Sequence, residues 1–163
     1  MTEKYPLEQL VLIKQRRLEE SERILKEKKE ELEKEKERGK KLEAERDKTF
    51  EHRQDKLNQL REILDKGTTS DKIKVMREYI EVVNEELIQK EKRLQAQKKV
   101  IEEGEIAVEE ARKDMLKKQQ DVEKLKIHRK EWEKEMKLQM EHKEGIETDD
   151  LGTSMHTTRK RKR

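Results

Sequence analysis

Four histidines are the residues of this chain whose chemistry is most versatile, and they are His52, His128, His142 and His156. A metal or acid–base site needs such side chains at short fixed spacings, or brought together by the fold. None of these spacings matches a zinc or catalytic motif, and the helix pairing predicted below places His52 near residue 83, far from His128. The histidines therefore predict no catalytic and no metal site.

The segment Lys66-Gly-Thr-Thr-Ser70 has residue types found in phosphate-binding loops, but in the wrong order. In such a loop a strand and an upstream glycine precede Gly-Lys-Ser/Thr, whereas here Lys66 stands before Gly67. Carboxylates are numerous, but side chains on exposed helices lack a pocket that could raise their pKa or exclude water. We expect no ATP site, no cofactor and no enzymatic activity.

Composition favours long helices over a compact core. Of the 163 residues, 51% are charged and only 29% hydrophobic, and Leu, Glu, Lys, Gln and Arg are strong helix formers. The net charge of +3 arises from interspersed signs, so no nucleic-acid partner is expected. The basic Arg159–Arg163 end is interpreted as solubilising, with a nuclear-targeting or nucleic-acid role as the alternative. The chain has no cysteine, no apolar run long enough for membrane insertion and no secretory signal, which predicts a cytoplasmic protein.

A seven-residue apolar repeat predicts the second helix, over residues 71–144. Steps of three and four from Ile73 reach Ile80, Val83 and Leu87 and continue to Trp132 and Met136. Most of these positions are apolar, as in the seam of a coiled coil.

The first helix, predicted over residues 7–66, has a weaker seam. Leucines and Val11 keep the same repeat as far as Leu42, but the next apolar residue in the pattern is Phe50, eight residues later. Such a step predicts a stutter that locally unwinds the supercoil. We expect the middle of this helix to pack poorly against the second helix.

The turn is predicted at residues 67–70. Gly67 can adopt the left-handed conformation that ends a helix, and Thr69 or Ser70 can cap the next one. A short connection between two apolar stripes favours an antiparallel hairpin, in which the numbers of facing residues sum to about 135 and Trp132 lies beside Tyr5. The predicted fold is all-α: an extension at 1–6, the two-helix hairpin as a thin rod, and a disordered basic-ended tail at 145–163.

Two apolar clusters exceed what a two-helix seam requires. Residues 10–13 are consecutive apolar side chains, which indicates either a third surface for a partner or local packing against Trp132. Residues 76–83, with Tyr79 and Val82 off the seam, indicate either a docking surface or a broader local core.

Three segments resemble the YscO/FliJ family, the stalk proteins of type III secretion and flagellar export, in its chlamydial branch. They are YPLEQLVLIKQRR at the start, LREILDKGTTSDKIKVMREYIEVV across the turn, and LKIHRKEWEKEM late in helix two. The resemblance covers roughly residues 5–140. It implies an antiparallel coiled coil similar to the rotor shaft of rotary ATPases, standing in the pore of a hexameric secretion ATPase.

The resemblance also implies binding sites and partners. The end with both termini would enter the ATPase ring and promote its assembly and turnover, through Leu10, Ile13, Lys14, Arg17, Arg129, Trp132 and Met136. The segment near the turn, with Tyr79 and Val83, would face the export gate protein, although Glu86 stands where a small residue would pack more closely. Export chaperones are further implied partners, and the protein would be a monomer when free, located peripherally at the cytoplasmic face of the apparatus.

Two other functions fit the same sequence. One is a structural scaffold that dimerises into a four-helix assembly, and the other is a holdase chaperone that grips unfolded chains through its apolar ends. A monomer in light scattering would disfavour the scaffold, and failure to suppress aggregation would disfavour the holdase.

Overall fold

The computed structural model describes residues 3–162. This part of the chain forms two α-helices and no strand: α1 covers Glu8–Lys66 and α2 covers Ser70–Arg161. Residues 1 and 2 of the predicted extension, and residue 163 of the predicted basic end, lie outside the described residues. The predicted all-α, two-helix architecture is confirmed.

The connection between the helices is three residues long. Gly67 has a φ of 84°, in the left-handed region that costs a side-chain-bearing residue conformational energy. The carbonyl of Thr69 accepts a hydrogen bond from the Ile73 N–H at 3.3 Å, which places Thr69 at the N-cap of α2. Ser70 was predicted in the turn and is instead the first residue of α2.

The helices contribute to two compact units. One unit combines Met1–Glu22 with Asp114–Arg163, and the other is Arg23–Lys113, which contains the turn. In each unit a segment of α1 lies antiparallel to a segment of α2.

In the unit Arg23–Lys113, α2 supplies most of the core through the predicted seam. Its buried apolar side chains are Ile80, Val83, Leu87, Leu94 and Val108. Leu25 and Leu32 are the buried apolar residues of α1. They are spaced by seven or fourteen residues, or, around Val83, by three and four, which follows the heptad that the sequence shows.

Two glycines let the helices of this unit approach closely. A Cβ added to Gly39 would lie 3.0 Å from Ile101 Cδ1, and one added to Gly104 would lie 3.0 Å from Leu32 Cδ1. Each glycine therefore forms the hole that a branched side chain of the opposite helix fills.

The stutter predicted between Leu42 and Phe50 is absent. Thr49 is 6% exposed and occupies the seam, whereas Phe50 is 43% exposed beside it. The steps of three and four continue from Leu42 through Arg46, Thr49 and Arg53, all of which are at least half-buried. Aliphatic stems of polar side chains cover the seam here, so the repeat needs no apolar residue to continue.

In the unit of the two termini, the buried residues of the helices again follow the repeat: Val11, Ser21 and Val122. Tyr5, which precedes α1, is buried as well. Lys14 forms an ion pair with Asp121 at 3.6 Å, at the register expected from the sequence. Ser21 donates a hydrogen bond to the Leu18 carbonyl at 2.7 Å, which satisfies its buried hydroxyl within α1.

The C-terminal prediction was wrong in one respect, because α2 continues to Arg161 instead of ending at 144. Residues 137–161 are exposed throughout, which is why no apolar repeat marks them. Thr148 and Thr153 donate hydrogen bonds to the carbonyls four residues earlier, so their hydroxyls fit a helical backbone. The segment contains no proline, and basic residues occupy the last turn, where the helix dipole favours them.

Candidate functional site

An aromatic cluster joins the start of the chain to α2. Tyr5 is only 5% exposed, and its hydroxyl lies 2.5 Å from His128 Nδ1. Its ring packs against Trp132 at 5.4 Å between centroids in an edge arrangement, and Arg129 Cζ lies 5.7 Å from the ring centroid. We name Tyr5, His128, Arg129 and Trp132 the Tyr5 clasp.

Local structure at the beginning of α1 positions Tyr5. The Glu8 N–H donates to the Tyr5 carbonyl at 3.2 Å, so the backbone turns immediately before the helix begins. The Glu8 carboxylate in turn lies 2.9 Å from Arg129 of α2. The first turn of α1 is thereby held against the segment of α2 that carries Trp132.

A second feature of the same unit is a row of side chains on α1. Leu10, Ile13 and Arg17 are spaced by three and four residues, so they lie on one side of the helix, and all three are exposed. Arg17 forms no ion pair among the described residues. We name these three residues the Leu10 row.

The other four residues predicted to bind an ATPase lie in the same unit with more intramolecular contacts. Lys14 pairs with Asp121, and Arg129 pairs with both Glu8 and Glu133. Trp132 and Met136 are half-buried at positions that continue the seam. The exposed part of the predicted site is therefore the Leu10 row.

The two residues predicted to face an export gate differ in accessibility. Tyr79 is 46% exposed, and its hydroxyl is hydrogen-bonded to His52 Nε2 at 2.8 Å. Lys56 Nζ lies 5.5 Å from the centroid of the Tyr79 ring. Val83 is 2% exposed because it occupies a seam position, so its prediction as a surface contact was wrong. Its side chain supports the helix pairing beneath this surface.

Exposed valines extend the surface around Tyr79. Val75 lies four residues before Tyr79 and Val82 three residues after it, so all three follow one side of α2. Beside the turn, Val75 also lines a shallow depression with Ile63 and Met76.

Sequence reasoning placed Trp132 beside Tyr5 but assigned no part to His128. The register itself contained that signal, because the numbers 5 and 128 sum to nearly the value expected for facing residues. Glu8 and Asp121, which hold Arg129 and Lys14, were also missed, since charged residues are too frequent in this chain for a single pair to stand out.

These features suit protein contacts more than covalent chemistry. Among residues 3–162 no group of three or more His, Asp or Glu side chains is arranged to hold a metal ion. Neither helix, over the same residues, has a segment apolar enough to cross a bilayer. His52 and His128 each bond to a tyrosine.

Comparison with known proteins agrees with this architecture. A model of the YscO-like protein family matches residues 2–162. The chain belongs to the YscO-like family. It is thus a component of type III secretion, as the three sequence segments implied. No curated protein sequence matches the chain.

Two solved structures are similar to this YscO-like chain. One is described as a YscO homolog, CT670 from Chlamydia trachomatis, with 37% identity and a TM-score of 0.92, covering 99% of this chain and 100% of that one. The other is the Chlamydia pneumoniae CdsV and CdsO protein complex, with 40% identity and a TM-score of 0.49, covering 52% of this chain and 98% of that one.

Proposed function

We propose that this YscO-like protein is a non-enzymatic stalk that binds the pore of a hexameric secretion ATPase and promotes the assembly and turnover of the hexamer. The observation that carries this proposal is the exposed Leu10 row beside the Tyr5 clasp. Leu10 and Ile13 would contact the ATPase, and Arg17, which forms no ion pair within residues 3–162, would add a positive charge.

The Tyr5 clasp gives this surface a fixed geometry. Tyr5 contacts three residues of α2 and Glu8 contacts Arg129, so side chains on both sides of the start of α1 are held against α2. A surface that is ordered before binding loses less conformational entropy in the complex.

A single asymmetric chain can affect a ring without chemistry of its own. When one stalk contacts equivalent subunits, it must bind some of their conformations more tightly than others. Such a difference in affinity shifts the populations of nucleotide states around the ring. ATP turnover by the ring rises if the stalk stabilises the subunit conformation whose formation limits the rate of the cycle.

The decisive experiment measures ATP hydrolysis by the cognate secretion ATPase while the full chain is titrated in. We expect stimulation that saturates near about one chain per hexamer, because a closed ring has one pore on its axis. The variant Leu10→Asp with Ile13→Asp should abolish stimulation while its circular dichroism stays unchanged.

Leu12→Asp is the matched control. Leu12 is also exposed, but it lies outside the Leu10 row, so its substitution should leave stimulation intact. Equal loss in both variants, or no stimulation at any ratio, would contradict the proposed stalk function.

A second contact is proposed at the other unit, where Tyr79 is exposed with Val75 and Val82. We propose that this surface meets the export gate protein, which would place the chain peripherally at the cytoplasmic face of the apparatus. Tyr79→Ala should weaken binding to the purified cytoplasmic domain of the gate in calorimetry. Phe50 is also exposed but lies away from this surface, so Phe50→Ser should leave binding to the gate unchanged.

Binding of export chaperones is a further part of this proposal, and it can be tested by titrating labelled chaperones against the full chain. A scaffold and a holdase remain the competing functions. Light scattering that gives a stable dimer would favour the scaffold, and suppression of aggregation of an unrelated protein would favour the holdase.

A further inference from the structure

Residues 151–163 are the longest run of the chain without an acidic side chain. The chain has 40 Asp and Glu among its 163 residues, but none of them lies in this segment. The five residues 159–163 are all basic. Positive and negative charges, which are interspersed over the rest of the chain, are therefore separated here.

The segment also has apolar side chains on one side of the helix. Leu151 and Met155, one turn apart in α2, are 63% and 65% exposed. Steps of three and four continue this side from Thr148 through Leu151, Met155 and Thr158 to Lys162, which directly follows the helix. We name these five residues the Leu151 face.

The threonines of the Leu151 face have hydroxyl groups that are already hydrogen-bonded. The Thr148 hydroxyl donates to the Glu144 carbonyl at 2.7 Å, and the Thr158 hydroxyl donates to the Ser154 carbonyl at 2.9 Å. Because both donors are satisfied within the helix, moving these side chains out of water leaves no donor unpaired. The face therefore combines two apolar side chains, two threonine methyl groups and a lysine.

The basic residues beside this face have no ionic partner in the helix. None of Arg159, Lys160, Arg161 and Lys162 forms an ion pair among residues 3–162. Successive positions differ by about 100° around a helix, so these side chains surround it. Their aliphatic stems are long enough for the charged groups to turn towards one surface.

Acidic residues lie before the segment and are too distant to neutralise it. Asp150 precedes Arg159 by nine residues, or about 14 Å along the helix axis. Asp149 and Asp150 also lie outside the spacing of the Leu151 face. Glu144 and Glu147 share its side of the helix but are still farther from Arg159. All four lie beyond the screening length of about 8 Å at physiological ionic strength, so residues 151–162 present a positive surface.

We propose that residues 151–162 bind the surface of an anionic lipid bilayer, with the Leu151 face turned towards the lipid. An anionic surface fits because four basic residues in this range have no other ionic partner. Exposed apolar side chains fit because a bilayer takes them up just below its headgroups. At that depth neighbouring lysine and arginine side chains reach the headgroup phosphates.

A nucleic acid also presents phosphates but fits this segment less well. Binding of single strands uses aromatic side chains on which the bases stack, and residues 133–163 contain no Phe, Tyr or Trp. Contacts to the phosphates of a duplex would make no use of Leu151 and Met155. Apolar and basic side chains aligned on one helix are instead typical of a helix that lies at a membrane surface.

The probe is a suspension of sucrose-loaded vesicles of phosphatidylcholine with phosphatidylglycerol, and the comparison is vesicles of phosphatidylcholine alone. The full chain is titrated in, and the bound fraction is measured by co-sedimentation. We expect saturable binding to the anionic vesicles, weakening as salt is raised, and affinity at least about tenfold lower for the neutral vesicles. A fluorescein-labelled single-stranded oligonucleotide, titrated with the chain in fluorescence anisotropy, tests the nucleic-acid alternative.

Charge variants test the ionic part of this contact. Arg159→Gln with Arg161→Gln should lower the affinity for anionic vesicles at least about tenfold, because each basic residue contributes about fivefold at such a surface. Lys137→Gln with Lys143→Gln is the matched control, since it removes the same charge from an exposed part of α2 before the segment. It should lower the affinity less than about twofold, because both lysines lie beyond the screening length.

A second double variant tests the apolar part. Leu151→Ser with Met155→Ser keeps every charge and should lower the affinity for anionic vesicles about fivefold. The circular dichroism of all these variants should stay unchanged, because each substituted side chain is exposed.

The bilayer contact is independent of the proposed function. None of the substituted residues belongs to the Leu10 row or to the surface around Tyr79, so all the variants should still stimulate the ATPase, and a failure of one proposal leaves the other standing. Equal affinity for anionic and neutral vesicles, or affinity unaffected by either the glutamine pair in the segment or the serine pair, would overturn this inference. Binding of the oligonucleotide without binding of the vesicles would also overturn it, and would assign the basic residues to a nucleic-acid site.

Discussion

Helices α1 and α2 contribute unequally to the seam between them. In the unit that contains the turn, α2 presents five buried apolar residues, whereas α1 presents two and places Arg46, Thr49 and Arg53 in the same repeat. The difference indicates that α2 determines the pairing and α1 conforms to it. Exposed apolar side chains remain on both helices, and the surfaces proposed for protein partners are the Leu10 row of α1 and, on α2, Tyr79 with Val75 and Val82.

The largest expected effect comes from placing a charge in the seam of each helix. Val83 is 2% exposed, so Val83→Asp buries a carboxylate and should lower the free energy of unfolding by about 3 kcal/mol or more. Thr49→Asp occupies an equally buried position, but Lys90 Nζ lies 2.6 Å from the Thr49 hydroxyl and can pair with the new carboxylate. Its cost should be about 1 kcal/mol or less.

Urea unfolding followed by circular dichroism measures both variants. Equal losses would contradict the idea that the α1 seam tolerates charge better than the α2 seam.

A smaller effect is expected where the helices approach at glycine. Gly39→Leu would place a side chain where Ile101 Cδ1 already lies, and overpacking of this kind costs about 1–3 kcal/mol. Lys40→Leu is the control, because Lys40 is the exposed neighbour and its substitution should change stability by less than about 0.5 kcal/mol. Thermal unfolding of the two variants distinguishes a close helix approach from a general effect of added apolar surface.

Replacing the half-buried Arg53 of the α1 seam should stabilise the protein. Arg53→Met removes an Nε group that has no acceptor and keeps an aliphatic stem in the seam. We expect the free energy of unfolding to rise by about 1 kcal/mol, offset in part by loss of the contact with Asn84. A decrease in stability would show that the contacts of Arg53 with Phe50 and Asn84 contribute more than its unpaired Nε costs.

The most local effect is expected at the Tyr5 clasp. Tyr5→Phe keeps the ring contact with Trp132 and removes the hydrogen bond to His128, which costs about 0.5–1.5 kcal/mol of local stability. Hydrogen exchange at the first turn of α1 should accelerate while exchange near Leu87 stays unchanged. Acceleration at both places would mean that the clasp stabilises far more than the end of the chain.

How much of this structure the sequence predicts depends on which helix is considered. In α2 the seam is mostly apolar, so the heptad predicts buried residues from Ile80 to Val122. In α1 the apolar residue Phe50 was preferred over Thr49, which produced a stutter that does not exist. Continuity of the repeat was the stronger physical constraint, because pairing with an uninterrupted α2 requires an uninterrupted α1.

The site was predictable to a similar extent. Register placed Tyr5 beside Trp132, but the hydrogen bond to His128 depends on side-chain orientation that a repeat does not specify. Val83 was predicted on a surface although its own seam position implied burial. The helical continuation to Arg161 was missed because helices without a packed face leave no periodic pattern.

The three-residue turn also determines the order in which contacts can form. Loop-closure entropy favours contacts between residues close in sequence, so pairing should begin next to Gly67 and proceed towards the termini. The bond between Tyr5 and His128, 123 residues apart, is then among the last to form. Because a shifted pairing would separate these two rings, the clasp closes only on a correctly aligned hairpin, and an ATPase that recognises this end would select chains that have completed folding.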